Sequence, residues 1–204
     1  VRFALIDCKI DWSEYLNTMS RLKNAAFVAA IDSNIDIASS TAHKLGASIS
    51  VRSFEDLMIK HSEEFDAVII NRTSSDNGPL VEKIAKAGKH VLVESPLAIS
   101  TEASNAAINA CKSSNVCLMV GQSDRFMPSN QKIKEILSSG KLGSIGLLRI
   151  HRWDAKESDR ANQIALDSRN KQIPLIQIVR ELDIANWLFE ALPTELYAVG
   201  RTQS

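Results

Sequence analysis

The sequence has no glycine in its N-terminal part, no net charge and no long apolar run. It has 8 glycines, and none of them precedes Gly46. Lysine plus arginine and aspartate plus glutamate both number 24, so the formal net charge is zero. The lack of a basic excess argues against nucleic acid and anionic membranes as partners. No run approaches the roughly 18 apolar residues of a membrane span, so we expect no membrane insertion.

Metal-ligating residues and targeting signals are also scarce. The 3 cysteines, Cys8, Cys111 and Cys117, form no Cys-x-x-Cys pair and have no histidine cluster beside them, so no structural metal site is predicted. The N-terminal stretch VRFALID is strand-like and lacks a cationic region or cleavage site, which predicts no secretory signal. These absences favour a reduced protein of the cytoplasm.

The sequence does contain a regular alternation of short apolar runs and amphipathic helical runs. The strand-like runs are Val1–Asp7, Ala25–Asp32, Ala67–Asn71, His90–Glu94 and Val116–Gly121, with a weaker one at Ser48–Val51. The helix-like runs are Trp12–Leu22, Asp36–Leu45, Ser53–His61, Pro79–Ala87 and Thr101–Ser114. Such alternation predicts βαβ units, and right-handed crossovers then give an α/β fold with a doubly wound parallel sheet.

The pattern changes after Gly121. The predicted elements are a helix at Pro128–Ser139, a long strand at Ser144–Trp153, a polar loop at Asp154–Lys171, an amphipathic helix at Ile173–Phe189 and a strand at Glu195–Val199. These elements are too few for an independent domain. We therefore predict one domain over residues 1–122 and the start of a second, incomplete α/β domain over 123–204. The open edge of its sheet would pair with later strands or with another subunit.

Three segments together resemble one protein family. Residues 87–98 read AGKHVLVESPLA, residues 121–128 read Gly-x-x-x-Arg-Phe-x-Pro, and residues 140–143 read Gly-Lys-Leu-Gly. All three resemble signatures of the Gfo/Idh/MocA oxidoreductases, the family of glucose-fructose oxidoreductase and inositol dehydrogenase. The resemblance implies a Rossmann domain with NAD or NADP as cofactor and a small-molecule ligand. A homo-oligomer formed through the second domain is a further expectation.

Cofactor contacts are expected at the carboxyl ends of the parallel strands. There the positions of the Gly-x-Gly-x-x-Gly fingerprint read DCKIDW (residues 7–12), so all three glycines are replaced. Asp7 would bring a carboxylate to the pyrophosphate, Lys9 would partly offset it, and Trp12 would fill the cleft. Asp32 ends the second strand, where an acid binds the adenosine ribose and favours NAD; its alternative role is to cap the next helix.

Two more strand ends supply candidates. After the fourth strand, Arg72 and Asn77 stand where the family has a threonine and a histidine. Arg72 would bind an anion, or its hydroxyl-rich turn would only cap the following helix. After the fifth strand, the Glu-Ser-Pro turn replaces the family's Glu-Lys-Pro. The predicted cofactor-binding residues are Lys9, Asp32, Arg72, Glu94, Ser95 and Pro96.

The proton-transfer positions of the resembled family are replaced. Ser95 stands at its lysine, while Ile176 and Arg180 stand at the aspartate and histidine of a second-domain helix whose register Asp183 and Trp187 preserve. A serine needs an activating partner, isoleucine has no polar side-chain atom, and arginine stays protonated. We therefore predict no catalytic residues at these positions. The chain is expected to be a divergent member with impaired or lost dehydrogenase catalysis and a role in binding or assembly.

Two alternatives stay open at this stage. One is an active sugar or polyol dehydrogenase that uses other groups in or near the second-domain loop, namely His151, Arg152, Asp154 or Asp167. The other is a ligand-sensing or assembly module. Arg125, with its fork of donors, is expected to hold the junction between the domains.

Overall fold

The computed structural model describes residues 1–8, 21–71, 76–151 and 173–199. Lys9, Arg72, the loop Asp154–Lys171 and nearly all of the predicted helix Trp12–Leu22 lie outside these residues. The chain divides into two compact units, Val1–Gly121 and Gln122–Ser204, which we call the first and the second unit.

Six strands form one parallel sheet in the first unit. They are β1 (Arg2–Ile6), β2 (Ala26–Ile31), β3 (Ile49–Val51), β4 (Ala67–Ile70), β5 (His90–Glu94) and β6 (Leu118–Gly121). Their spatial order is β3-β2-β1-β4-β5-β6, and every neighbouring pair is parallel. The winding reverses between β1 and β4, so the predicted doubly wound α/β fold is confirmed.

Four described helices of the first unit connect these strands. They are α1 (Ile35–Leu45), α2 (Phe54–His61), α3 (Gly78–Lys86) and α4 (Thr101–Ser113). Three of them begin at a polar side chain that accepts a hydrogen bond from a first-turn N–H, supplied by Asn34, Ser53 and Ser100. The sequence therefore sets the entry points of α1, α2 and α4.

The core lies on both faces of this sheet. Leu5, Val68, Ile70 and Val93 on the central strands are completely buried. Successive strand residues point to opposite faces, so a strand covered on both sides needs an unbroken apolar run. This is why β4 reads AVII and all four of its residues are buried.

The second unit contains a 3-10 helix (Ser123–Phe126), α5 (Pro128–Ser138) and α6 (Ile173–Phe189). The predicted strands at Ser144–Trp153, described as far as His151, and at Glu195–Val199 are wrong. Neither segment pairs with a partner strand within the part of the chain that the structure describes. Apolar and β-branched residues favour a strand, but only a ladder of backbone hydrogen bonds makes one.

None of the described helices is long and apolar enough to cross a bilayer.

Candidate functional site

A cleft opens in the first unit where β1, β2 and β3 end, at the carboxyl edge of the sheet. Its volume is about 390 Å³. Apolar walls come from Ile6, Ile31, Phe54 and Leu80. The polar part of the lining comprises Asp7, Asp32, Ser33, Arg52, Ser53 and Glu55. An open parallel sheet places its ligand at this edge, beside the point where the winding reverses.

Asp7 follows β1 directly and has a left-handed backbone, with φ of 66°. Its N–H donates to the carbonyl of Ile31 at 3.1 Å, which fixes this conformation beside β2. Glycine adopts such a φ without cost, and aspartate is among the few other residues that tolerate it. The backbone expected of the first fingerprint glycine is thus kept, while a carboxylate is added to the lining of the cleft.

Asp32 ends β2 and is only 5% exposed. One carboxylate oxygen accepts from the N–H of Cys8 at 3.1 Å, and the other accepts from the N–H of Asn34 at 2.9 Å. The alternative role of Asp32, capping the next helix, is wrong, because Asn34 caps α1. Each carboxylate oxygen can accept a second hydrogen bond, so ribose hydroxyls can still bind Asp32.

Arg52 and Glu55 extend the cleft on the β3 side, and neither was predicted from the sequence. Arg52 Nη1 donates to the carbonyl of Ser33 at 3.3 Å, which bridges the ends of β2 and β3. Glu55 forms an ion pair with Lys83 of α3. The signal in the sequence was the pair Arg52-Ser53 directly after Val51. It was not used because the strand before it, Ser48–Val51, was only weakly predicted.

Cys8 is buried beside Asp32, and its Sγ donates to the carbonyl of Ile31 at 3.4 Å. Burial, and after it the negative charge of Asp32, raise the pKa of the Cys8 thiol to about 11. The thiol is therefore protonated at neutral pH and is neither a nucleophile nor a base.

Glu94, Ser95 and Pro96 lie together where β5 ends, and Asn77 holds their turn in place. Asn77 is completely buried, and its Nδ2 donates to the carbonyl of Pro96 at 3.1 Å. A Cβ atom on Gly121 would lie 3.1 Å from Glu94 Oε2, so the glycine leaves room for that carboxylate. The Ser95–Pro96 peptide bond is cis.

Two ion pairs in the second unit join the 3-10 helix to α6, and we call them the charged clasp. Arg180 donates to both carboxylate oxygens of Asp124, at 3.0 and 2.6 Å. Arg125 donates to both oxygens of Asp183, at 2.6 Å each. The contacts of Arg125 thus bind two elements of the second unit. Asp124 was not predicted from the sequence as a site residue; the available signal was its position next to Arg125.

Among the described residues, no group of three or more histidine, cysteine, aspartate and glutamate side chains is placed to hold a metal ion.

Comparison with known families agrees with this geometry. A sequence profile of the Gfo/Idh/MocA family, described as an oxidoreductase family with an NAD-binding Rossmann fold, matches residues 1–122. The chain belongs to the Gfo/Idh/MocA oxidoreductase family. The resemblance seen in the three sequence segments is therefore confirmed.

Curated relatives of the chain include two inositol dehydrogenases. Inositol 2-dehydrogenase of Rhizobium meliloti (strain 1021) is 24% identical over 200 residues, which cover 98% of this chain and 58% of the relative. The scyllo-inositol 2-dehydrogenase (NAD(+)) of Bacillus subtilis (strain 168) is 32% identical over 127 residues, covering 62% and 36%. The chain spans about half the length of the curated relatives it matches.

A solved family structure shows the same fold. The scyllo-inositol dehydrogenase from Lactobacillus casei, crystallised with NAD(H) and scyllo-inositol, superposes with a TM-score of 0.80 and 22% identity. The match covers 93% of this chain and 56% of that one.

The family is described as NAD-binding, and the described residues of this chain fit only part of that dinucleotide. At the adenosine end, Asp32 and the apolar walls suit a ribose and a flat base. At the pyrophosphate end, Asp7 adds a negative charge beside two negatively charged phosphates. At about 5 Å such a repulsion is worth roughly 3 kcal/mol per charge at the effective dielectric of a protein surface. Among the described residues, Asp7 therefore disfavours the pyrophosphate; Lys9 and the rest of this turn lie outside the described residues.

Proposed function

We propose that this chain is a divergent Gfo/Idh/MocA protein that has lost dehydrogenase catalysis and acts by binding. The observation that carries the proposal is the charged clasp. Arg180 stands where the family has its histidine, and its Nε and Nη2 both donate to Asp124. An arginine held in this way stabilises the second unit and does not take a proton from an alcohol.

The strand ends of the first unit support the same proposal. Oxidation of an alcohol requires a base near the hydroxyl proton. The described residues that follow the six strands include no lysine and no histidine. Cys8 is protonated there, and Ser95 replaces the family lysine. His90 lies at the opposite edge of the sheet, where its Nδ1 accepts from the N–H of Cys117 at 2.9 Å.

The four residues proposed for an atypical active enzyme gain no support from the described part of the chain. His151 is exposed at the end of a described range. The other three, Arg152, Asp154 and Asp167, lie outside the described residues.

The decisive experiment is a turnover assay. The purified chain is incubated with NAD⁺ or NADP⁺ and with myo-inositol, scyllo-inositol or glucose, and absorbance at the nicotinamide band is followed. An inositol dehydrogenase relative serves as the positive control. We expect no turnover above the protein-free background, because the residues at the family's proton-transfer positions are Ser95, Ile176 and Arg180. Turnover of any polyol by the unaltered chain would overturn the proposal.

A triple variant of the same chain tests the cause. Ser95→Lys, Ile176→Asp and Arg180→His together restore the residue types of the family. In the Asp7→Gly background, where the carboxylate no longer disfavours the cofactor, we expect the triple variant to regain measurable turnover. Arg180→Gln, which breaks the clasp without supplying a base, is the matched control and should stay inactive.

A second candidate role, assembly with another copy, rests on exposed apolar side chains of the second unit. Leu147 is 70% exposed, Leu192 79%, Leu196 74% and Tyr197 91%. Such side chains mark surfaces that associate. Two copies would not repel each other through net charge, because the formal charge of the chain is zero.

Sedimentation equilibrium tests this second role. We expect a concentration-dependent dimer, and a double variant Leu196→Ser and Tyr197→Ser that sediments as a monomer. A variant at Ile59, which is 79% exposed on the first unit, is the matched control and should leave the dimer intact. A monomer at all concentrations would exclude assembly with a second copy.

A further inference from the structure

We propose that the cleft at the ends of β1, β2 and β3 selects an uncharged ribonucleoside over a phosphorylated nucleotide, and that Asp7 sets this selectivity. The inference rests on the proposed binding role and names the class of ligand. The adenosine half of the family's ligand site is present in the first unit. In the described part of the turn that would receive phosphate, Asp7 supplies a carboxylate instead.

Asp7 is placed to interact with the 5′ substituent of a ribose that is bound at Asp32. It occupies the turn after β1, where the family has the first fingerprint glycine, and its side chain lines the cleft. The hydrogen bond from its N–H to Ile31 holds the turn against β2. A 5′-phosphate directed at this turn meets the carboxylate, whereas a 5′-hydroxyl can donate a hydrogen bond to it.

The other charges of the described lining, which does not include Lys9, do not cancel Asp7. Glu55 is neutralised by its ion pair with Lys83. Arg52 donates to the carbonyl of Ser33 and lines the same cleft as Asp32 and Asp7. The described lining therefore has one carboxylate more than it has cations, which disfavours an anionic ligand.

The remaining lining suits a ribonucleoside. Asp32 retains acceptor capacity for the two ribose hydroxyls after its bonds to Cys8 and Asn34. Ile6, Ile31 and Leu80 offer apolar contacts for a flat base. A volume of about 390 Å³ lies within the size range of small-molecule pockets.

The test is a calorimetric titration of the full chain with adenosine, 2′-deoxyadenosine, AMP and NADH. We expect adenosine to bind at least ten-fold more tightly than AMP or NADH. We also expect 2′-deoxyadenosine to bind several-fold more weakly than adenosine, because one hydroxyl facing Asp32 is gone. In Asp7→Asn, which removes the charge at constant size, the preference for adenosine over AMP should fall at least five-fold.

Two further variants keep the test decisive. Asp7→Gly removes the charge and relaxes the backbone, so it covers the case in which the asparagine variant does not fold. Asp36→Asn removes a carboxylate of α1 that does not line the cleft, and it should leave the ratio of affinities within two-fold of that of the unaltered chain.

Several results would overturn the inference. They are no adenosine binding at millimolar concentration, AMP or NADH binding as tight as adenosine, equal binding of the deoxy form, or a ratio unchanged by both Asp7 variants. None of these results depends on turnover. The loss of catalysis and the identity of the ligand class therefore fail separately.

Discussion

The two units of the chain differ in how they cover their apolar side chains. In the first unit, Leu5, Val68 and Ile84 are completely buried between the sheet and its helices. In the second unit, Leu196 is 74% and Tyr197 91% exposed. A sheet covered on both faces completes its own core, whereas the described elements of the second unit leave apolar surface exposed to solvent. The first unit is therefore the one expected to fold by itself.

The units also differ in how they depart from the family. The first unit keeps the scaffold of the ligand site, with Asp32, Glu94 and Pro96 at the strand ends, and changes the charge at Asp7. The second unit keeps the helix register at Asp183 and uses that aspartate in the charged clasp. We infer that one unit has changed what it can bind, while the other uses Arg180 and Asp183 in a structural contact.

The largest expected effect tests the difference in burial. Leu5→Ala should lower the free energy of unfolding of the first unit by about 3 kcal/mol, because it leaves a cavity beside a central strand. Leu196→Ala should change stability by less than about 0.5 kcal/mol, since its side chain is already exposed. Urea unfolding of both variants checks this. Equal losses would show that Leu196 is buried in solution, as an assembled second unit requires.

The next effect concerns the charged clasp. The side chain of Asp183 is only 16% exposed and receives two hydrogen bonds from Arg125, so Asp183→Asn should destabilise α6 by about 1–2 kcal/mol. Asp124→Asn, at the more exposed pair with Arg180, should cost about half as much. Hydrogen exchange of the α6 amides measures both effects. Identical protection in all variants would mean that the clasp contributes no stability.

Much of the first unit could be predicted from the sequence because its elements are locally specified. The apolar run of β4 and the cap at Ser53 signal their structure without reference to the rest of the chain. The strands predicted at Ser144–Trp153 and Glu195–Val199 were wrong because a strand depends on a distant partner, which local patterning does not report. The clasp escaped prediction for the same reason, since Asp124 and Arg180 meet only through the packing of α6.

The candidate site was predicted only in part. Asp32, Glu94, Ser95 and Pro96 follow strands with strong apolar patterns, so their edge of the sheet could be identified. Arg52 and Glu55 follow β3, which has only three residues, and their place in the cleft depends on how that short strand packs beside β2. Lys9 and Arg72 stay predictions, because both lie outside the described residues.

A smaller effect separates the backbone of Asp7 from its charge. Asp7→Gly should raise the free energy of unfolding of the first unit by about 0.5–1 kcal/mol, because glycine adopts a φ of 66° without strain. Glu190 has a φ of 55° in the second unit, but it also pairs with Lys134 at 2.6 Å. Glu190→Gly should therefore give little net gain. Thermal unfolding compares the two, and a destabilised Asp7→Gly would show that the carboxylate stabilises the turn.

The smallest effect is a pH-dependent contact on the surface of the first unit. Asp66 accepts from the backbone N–H and the guanidinium of Arg2, and these bonds lower the pKa of the carboxyl from 3.8 to about 2. A lowered folded-state pKa adds stability above about pH 4, and that stability is lost as the pH falls toward 2. Because the pair is well exposed, Asp66→Asn should lower the Tm by only about 1–2 °C at pH 7. The difference from the unaltered chain should shrink between pH 4 and pH 2 in thermal scans, and a difference independent of pH would show that the charge of Asp66 contributes nothing.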